Sequence, residues 1–503
     1  MLTRFGFSIL FRTSPQHAEN IMQKRPESKA GGESRRSFLK KATAAAAAVA
    51  SANALVGCNA TGKGGTSTST GKAAAGPNPV YGQNIAPSPG RVIGANERIV
   101  VGFVGVGGQG TNAHVKLMKE HSSEHNIAQA AACDVSKTRR ENAKSIIGEH
   151  CDTYDHYHKL LARKDIDAVV CATVDHWHTP VSIDAMLAGK HVYVEKPMTR
   201  YLQEAFDIHD TVKRTGKILQ VGSQGCSDMK WHKAAEWIRA GKIGPVVMSQ
   251  GSYMRNNPKG EWNYDIMPWC TPEDLNWKEW MGTRIKNQRT FDPDHYFRWR
   301  KYYPYCAGLL GDLFPHKLHP YMLATGNPEF PTRVSSVGNR RVETDKKADG
   351  KAATKYIRDV NEIVQLVAEF PSGMTMHITS STVNEQGTQE MIRGHKATLY
   401  MAGNKVELKP EKPFAEEIDP ATSEAFKPEA VPAHHKNWFD SIRANKQPNA
   451  GIDLAIRVQT VISLAEMSER LSIMCVFDEK TRKITTGEGR EIKPITYGTL
   501  PLS

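Results

Sequence analysis

Cysteine is scarce and unpaired in this sequence: eight residues in 503, with no C-x-x-C spacing. That argues against a disulfide framework or a zinc ribbon. Long apolar runs are lacking as well. The alanine-rich stretch Ala42–Leu55 is too short and too mild to span a bilayer. A clustered Lys/Arg face of the kind that binds nucleic acid is also missing. The formal charge of +13 is inflated by residues 1–57, which carry nine Lys/Arg against three Asp/Glu, so the remainder stands near 13 − 6 = +7.

What is present is a phosphate-binding turn in its proper context. Arg98–Val104 is a near-continuous apolar run, as expected of a parallel strand buried on both faces. It runs into Gly105-Val106-Gly107-Gly108-Gln109-Gly110, a G-x-G-x-x-G turn. Gly105 permits the turn, Gly107 lets backbone approach a pyrophosphate, and Gly110 allows close helix–strand packing. Thr111–Glu120 reads as the helix whose N-terminal N–H groups hold the phosphates. A second apolar run, Ile127–Cys133, ends in Asp134, placed to accept from the adenosine ribose hydroxyls. The polar stretch His121–Asn126 reads as a loop that lengthens the spacing between turn and carboxylate. Asp134 favours NAD; Lys137, Arg139 and Arg140 could receive the 2′-phosphate of NADP.

The leader carries an address. Ser34-Arg35-Arg36-Ser37-Phe38-Leu39-Lys40 is a twin-arginine export signal, and Leu55-Val56-Gly57-Cys58 resembles a lipobox that would place a lipid on Cys58. The pair lies far in, consistent with Met22 as the start. The expected location is the periplasm or a membrane-anchored lipoprotein of a bacterial envelope, with the membrane reached only through Cys58. Outside the inner membrane there is no free nicotinamide pool, so the cofactor must be held tightly and its redox state restored in each cycle.

The expected organisation is signal over 1–57, flexible linker over 58–96, dinucleotide domain over 97–225 and a second domain over 226–503. Helices are expected near 137–148, 157–163, 179–188 and 201–215, alternating with strands 168–173, 191–195 and 218–222. The fold class is α/β: a doubly wound parallel sheet, then an α/β domain with an open, largely antiparallel sheet. Strands 246–254, 362–370, 375–381 and 397–401 belong to the latter, covered in part by amphipathic stretches 436–444 and 453–470. The aromatic, charged segment 256–305 has little regular pattern, and loops of that length often bind or close over ligands.

Three groups could do chemistry. Lys196 stands between Glu195 and Pro197 at a strand's end, where Pro197 keeps it out of the helical region and its ammonium can donate to a substrate oxygen. Asp312 and His316 stand four apart after a Gly-rich stretch; a histidine titrates near neutrality and suits a base, while a helix cap and an ordinary histidine are the bland alternatives. Asp175-His176-Trp177-His178 follows a strand as a loop, with Thr173 before it. Its alternate histidines lack a third ligand for a metal, leaving ribose, substrate or packing contacts.

The chain resembles the Gfo/Idh/MocA oxidoreductases over about residues 97–470. The resemblance rests on the Gly105–Gly110 turn, Glu195-Lys196-Pro197, Asp312…His316, Trp277-Lys-Glu-Trp280-Met-Gly282, and Asn437-Trp-Phe-Asp-Ser-Ile-Arg443 with Asn449. It implies Lys196, Asp312 and His316 as the catalytic set, and homo-oligomers built through the second domain. Phe314, Pro315 and His319 depart from the usual pattern, so the substrate cannot be copied from any member. The expected activity is oxidation of a sugar hydroxyl with an internally recycled NAD. The alternative is a glycoside hydrolase working through transient oxidation and elimination, which needs no catalytic carboxylate pair.

Overall fold

The computed structural model describes Gly94 and residues 97–500 except 287, 348 and 429. The leader readings at Arg35, Arg36 and Cys58, and most of the linker, lie outside the described residues.

Six strands form the first sheet: β1 (Ile99–Val104), β2 (Ile127–Cys133), β3 (Asp152–Tyr154), β4 (Ala168–Cys171), β5 (His191–Val194) and β6 (Leu219–Val221). Their order is β3-β2-β1-β4-β5-β6, and every pair is parallel. The order reverses beside β1, the switch point at which such sheets bind ligands beyond their carboxyl ends. The apolar runs follow from helices on both faces: Ile99, Val101 and Phe103 are fully buried on one, and Val104, Val169 and Cys171 join the main core on the other.

Two local expectations are corrected. His121–Asn126 contains a helical turn, Ser122–His125, closed by Asn126 in the left-handed region at φ 48°. Asp175–His178 is the first turn of a helix running to Leu187, rather than a loop.

The second sheet has twelve strands. At its centre Val246–Asn256 runs parallel to Thr375–Ser381, and the remaining pairs are antiparallel. The long helix Ile452–Leu471 packs against Arg333–Asn339 of this sheet, and also against the Leu202–Thr215 and Pro315–Ala324 helices. It therefore supplies cover, as expected. The other amphipathic stretch does not. Helix Val431–Ala444 sets Trp438, Phe439 and Ile442 into the core beneath β1, with Ile99, Val101 and Phe103. An amphipathic period shows that a face is buried but not which sheet buries it.

The cysteines from Cys133 to Cys475 are free and buried. No helix among the described residues is long and apolar enough to cross a membrane.

Candidate active site

One cavity of about 960 Å³ opens over the carboxyl ends of β1, β2, β4 and β5 and continues under the second domain. That is at the upper end for ligand pockets, which run ~300–1,000 Å³. Gly105, Gly107, Gly108, Gln109, Asp134, Thr173, Trp177, His178, Glu195 and Lys196 all line it.

The turn has the geometry a dinucleotide needs. Gly105 sits at φ +84°, where a Cβ would stand 2.7 Å from the backbone of Ala172 and Thr173. A Cβ on Gly108 would meet nothing within 4 Å, so backbone is exposed to the cavity there. Gly110 does not line the cavity; a Cβ on it would overlap the carbonyl oxygen of Gly105, which is the packing role expected of the third glycine. The following helix is of π type from Gly110 to Lys116 and α from Leu117 to Glu120. Asp134 accepts from the backbone N–H of Val106 and of Ser136, both at 2.9 Å. A carboxylate has about four acceptor sites, so it retains capacity for ribose hydroxyls.

Among the three cations considered for a 2′-phosphate, Arg139 alone lines the cavity. Arg140 donates to the carbonyl of Asp134 at 2.6 Å, and the exposed Lys137 lies 3.8 Å from Glu141. The Arg139 guanidinium is 4.6 Å from the ring centroid of Tyr296, with Trp269 and Phe297 beside it. These aromatics come from segment 256–305, which is tied down at this end by Asp274. That carboxylate accepts from Ser136 Oγ (2.5 Å) and from Thr138 N (2.8 Å) and Oγ1 (2.6 Å). At the other end, the Trp280 carbonyl accepts from Trp177 Nε1 at 2.8 Å and lies 2.9 Å from His176 Nε2. The patternless loop is thus a strap along the cleft.

His176 is corrected by the same contact: it is buried outside the cavity lining and positions the strap. His178 sets its ring nitrogens against the carbonyls of Pro197 (2.7 Å) and Thr173 (3.2 Å), bracing the lysine segment. Glu195 faces His114 Nε2 at 2.9 Å and Gln109 Nε2 at 3.2 Å. Burial would raise its pKa, but His114 and Lys196 outweigh that and hold it down at about 2.

Lys196, Asp312 and His316 come together deeper in the cavity. Lys196 Nζ donates to Asp312 Oδ1 at 2.7 Å and to its carbonyl at 2.8 Å. Arg300 Nε reaches Oδ1 at 3.1 Å, and Trp262 Nε1 donates to Oδ2 at 3.0 Å. Burial alone would raise the Asp312 pKa; Lys196 and Arg300 more than offset it and hold the carboxyl well below the ordinary range. No sequence signal marked Arg300 or Trp262, because both approach from the patternless strap.

Two expectations about the pair change. Asp312 spends its oxygens on Lys196, Arg300 and Trp262 and makes no hydrogen bond to His316. His316 stacks on Tyr253 at 5.1 Å between ring centroids. Burial, then Lys196, push its pKa down to about 3, so the imidazole is neutral throughout the working range rather than titrating near neutrality.

Outside this cavity, His121, Glu124 and His125 bring potential metal-ligand atoms within 4.8 Å of one another.

A family model described as an oxidoreductase family with an NAD-binding Rossmann fold matches residues 99–223, the whole first sheet and its turn. Residues 99–223 are a Gfo/Idh/MocA NAD-binding domain. Among curated relatives, glycosyl hydrolase family 109 protein 2 of Shewanella sp. (strain ANA-3) is 32% identical over 233 residues, covering 44% of this chain and 46% of the relative. Inositol 2-dehydrogenase/D-chiro-inositol 3-dehydrogenase of Lactiplantibacillus plantarum is 30% identical over 161 residues, covering 32% and 45%. The chain thus spans about half the length of the curated relatives it matches. Levoglucosan dehydrogenase, solved with NADH and levoglucosan, superposes with a TM-score of 0.57 at 16% identity, covering 75% of this chain and 99% of that one. That likeness shows the fold. The cofactor of this NAD-binding Rossmann fold is NAD, and the turn and Asp134 line the cavity that would take it.

Proposed function

We propose that the protein oxidises a hydroxyl of a sugar or sugar derivative by hydride transfer to a resident NAD, recovers the hydride in the same turnover, and in doing so cleaves a glycoside. The observation that carries this reading is the Lys196–Asp312–Arg300 cluster, with His316 beside it, in the same cavity as the dinucleotide turn. When bound, the dinucleotide supplies the hydride acceptor and donor. Lys196 directs a donor at the hydroxyl oxygen and steadies negative charge as it develops. His316, neutral and without a hydrogen-bond partner on its ring among the described residues, takes the hydroxyl proton. Its depressed pKa makes the imidazolium short-lived, so the proton passes on to cavity water. Asp312, paired with two cations, is a poor base and a poor nucleophile; it fixes Lys196. That speaks against hydrolysis through a carboxylate pair, and the similarity to the family 109 hydrolase supports cleavage by the oxidative route.

Net oxidoreduction between sugars is the second reading, favoured by the similarity to an inositol dehydrogenase. Purified protein, given glycosides and sugars without added cofactor, separates the two by mass spectrometry. A free aglycone with a reducing sugar is expected; paired oxidised and reduced sugars would point to the second reading. Denaturation should release roughly one dinucleotide per chain, and an empty preparation would sink both.

We further propose that the chain is exported by its twin-arginine signal, anchored through Cys58 and assembled as a homo-oligomer. Cys58→Ala should turn a membrane-associated protein soluble on fractionation, and an unchanged distribution would remove the lipid.

A further inference from the structure

Asp175 has a carboxyl group that nothing in the scheme above uses. It is the first residue of its helix, 3% exposed, and lines the same cavity as Lys196, Asp312 and His316. Its Oδ2 would stand 3.7 Å from a Cβ on Gly311, which places it beside the turn that carries Asp312. No described residue donates a hydrogen bond to it. Buried carboxyl oxygens are ordinarily paired, and the neighbouring Asp312 carboxylate accepts three hydrogen bonds where that of Asp175 accepts none from a described residue.

On the proposed oxidative cleavage, we propose that Asp175 is the acid that protonates the departing glycosidic oxygen and then deprotonates the incoming water. After oxidation, His316 removes the proton on the carbon next to the new carbonyl, and that C–H electron pair becomes a carbon–carbon double bond. The glycosidic C–O bond breaks with its pair on oxygen, and the carboxylic acid of Asp175 gives that oxygen its proton. Water then adds in reverse: its proton goes to the Asp175 carboxylate, its oxygen bonds to the carbon, and His316 delivers a proton, taken back from cavity water, to the neighbouring carbon.

Burial and the charges around this acid decide its protonation. Burial raises the Asp175 pKa to about 7, against the opposing pull of Arg300, Lys196 and Arg200 and with the help of Asp312; Cys306 adjoins it as well. A helix start favours the carboxylate by only ~0.3–1 kcal/mol, so desolvation wins. A carboxyl of that acidity is matched to proton transfer near neutral pH, where general catalysis is most effective. Lys196 is the rival donor, but two of its three N–H bonds are held by Asp312, and giving up a proton would cost the Asp312 carboxylate one of its two cations, leaving Arg300.

The test uses the holoenzyme and pairs of 4-nitrophenyl and methyl hexosides of the same sugar. Asp175→Asn should lose ~10²-fold or more in kcat/KM on the methyl glycoside and under about 10-fold on the nitrophenyl one, whose leaving group needs no acid. It should also lose the fall in rate above pH 7 and keep its bound NAD. Equal losses on both substrates, no loss, or release of the dinucleotide would each overturn the assignment. Should the variant fail to fold, NMR titration of the Asp175 carboxyl in the wild type decides: a midpoint near 7 supports it, and an ordinary value near 4 rejects it. If the wild type cleaves no glycoside at all, the proposed function has failed, a result separable from failure of Asp175 alone.

Discussion

Lys196→Ala should lower kcat by ~10²-fold or more, about 2.7 kcal/mol of transition-state stabilisation, while the purified variant still carries its dinucleotide. The two effects separate because the two machineries do. On the proposed reading the cofactor is held by the turn at Gly105–Gly110 and by Asp134, whereas Lys196 is tied to Asp312. An ammonium aimed at an oxygen that gains charge only as hydride leaves acts on the transition state far more than on bound substrate. The substitution should also move His316. Lys196 is the second cause, after burial, of its depressed pKa, so without the ammonium the acid limb of the pH–rate profile should shift to higher pH. Asp312 would keep Arg300 and Trp262, so the fold around it should survive. Lys196→Arg keeps the charge but not the compact donor, and should recover the His316 shift without the full rate. A Lys196→Ala protein that retains NAD and turns over normally would place the chemistry elsewhere.

How far the site could be read from the chain follows from which interactions are local. β1 and β2 were legible because each is a continuous apolar run buried on both faces, and Gly105–Gly110 because its constraints fall within six residues. β3 was missed: it is three residues long and polar, with Asp152 and Thr153 exposed. The helix from Asp175 was hidden by a start without a side-chain cap at Val174 and by Pro180, which reads as a boundary but sits inside. Lys196 was marked by its strand end, and Asp312 and His316 by the family resemblance, their spacing alone allowing a helix cap and an ordinary histidine. Trp262 and Arg300 were not marked, because what makes them matter is the strap that brings them in from far along the chain. Nor does spacing reveal charge environment: His316 looked like a neutral-pH base until its burial beside Lys196 was seen.

Glu466→Ala should be strongly destabilising, costing ~3–5 kcal/mol against a typical total of 5–15. Arg200 follows the Glu195-Lys196-Pro197 segment and is fully buried, with Nη1 and Nη2 paired to Glu466 Oε2 and Oε1 at 2.7 and 2.8 Å. Glu466 lies on the long helix under the second sheet, so this fork clamps the lysine segment to the other domain's frame. Removing the carboxylate leaves a buried guanidinium with only the Tyr303 carbonyl, at 2.8 Å, and the face of Tyr201. The cost is that of the stranded charge more than of the lost pair. Hence Arg200→Met with Glu466→Met should recover much of what Glu466→Ala loses, as two apolar chains of similar volume do for other buried pairs. The pH dependence has a fixed sign. Burial raises the Glu466 pKa, but Arg200 and Arg470 more than reverse it, leaving it lowered in the folded state. Its contribution is therefore fully present above the unfolded value of ~4.3 and is lost as pH falls through the folded one. Urea titrations at neutral pH and near pH 4 measure both effects. If the double methionine variant is as unstable as Glu466→Ala, the ion pair itself, rather than an unpaired charge, is what holds the two domains in register.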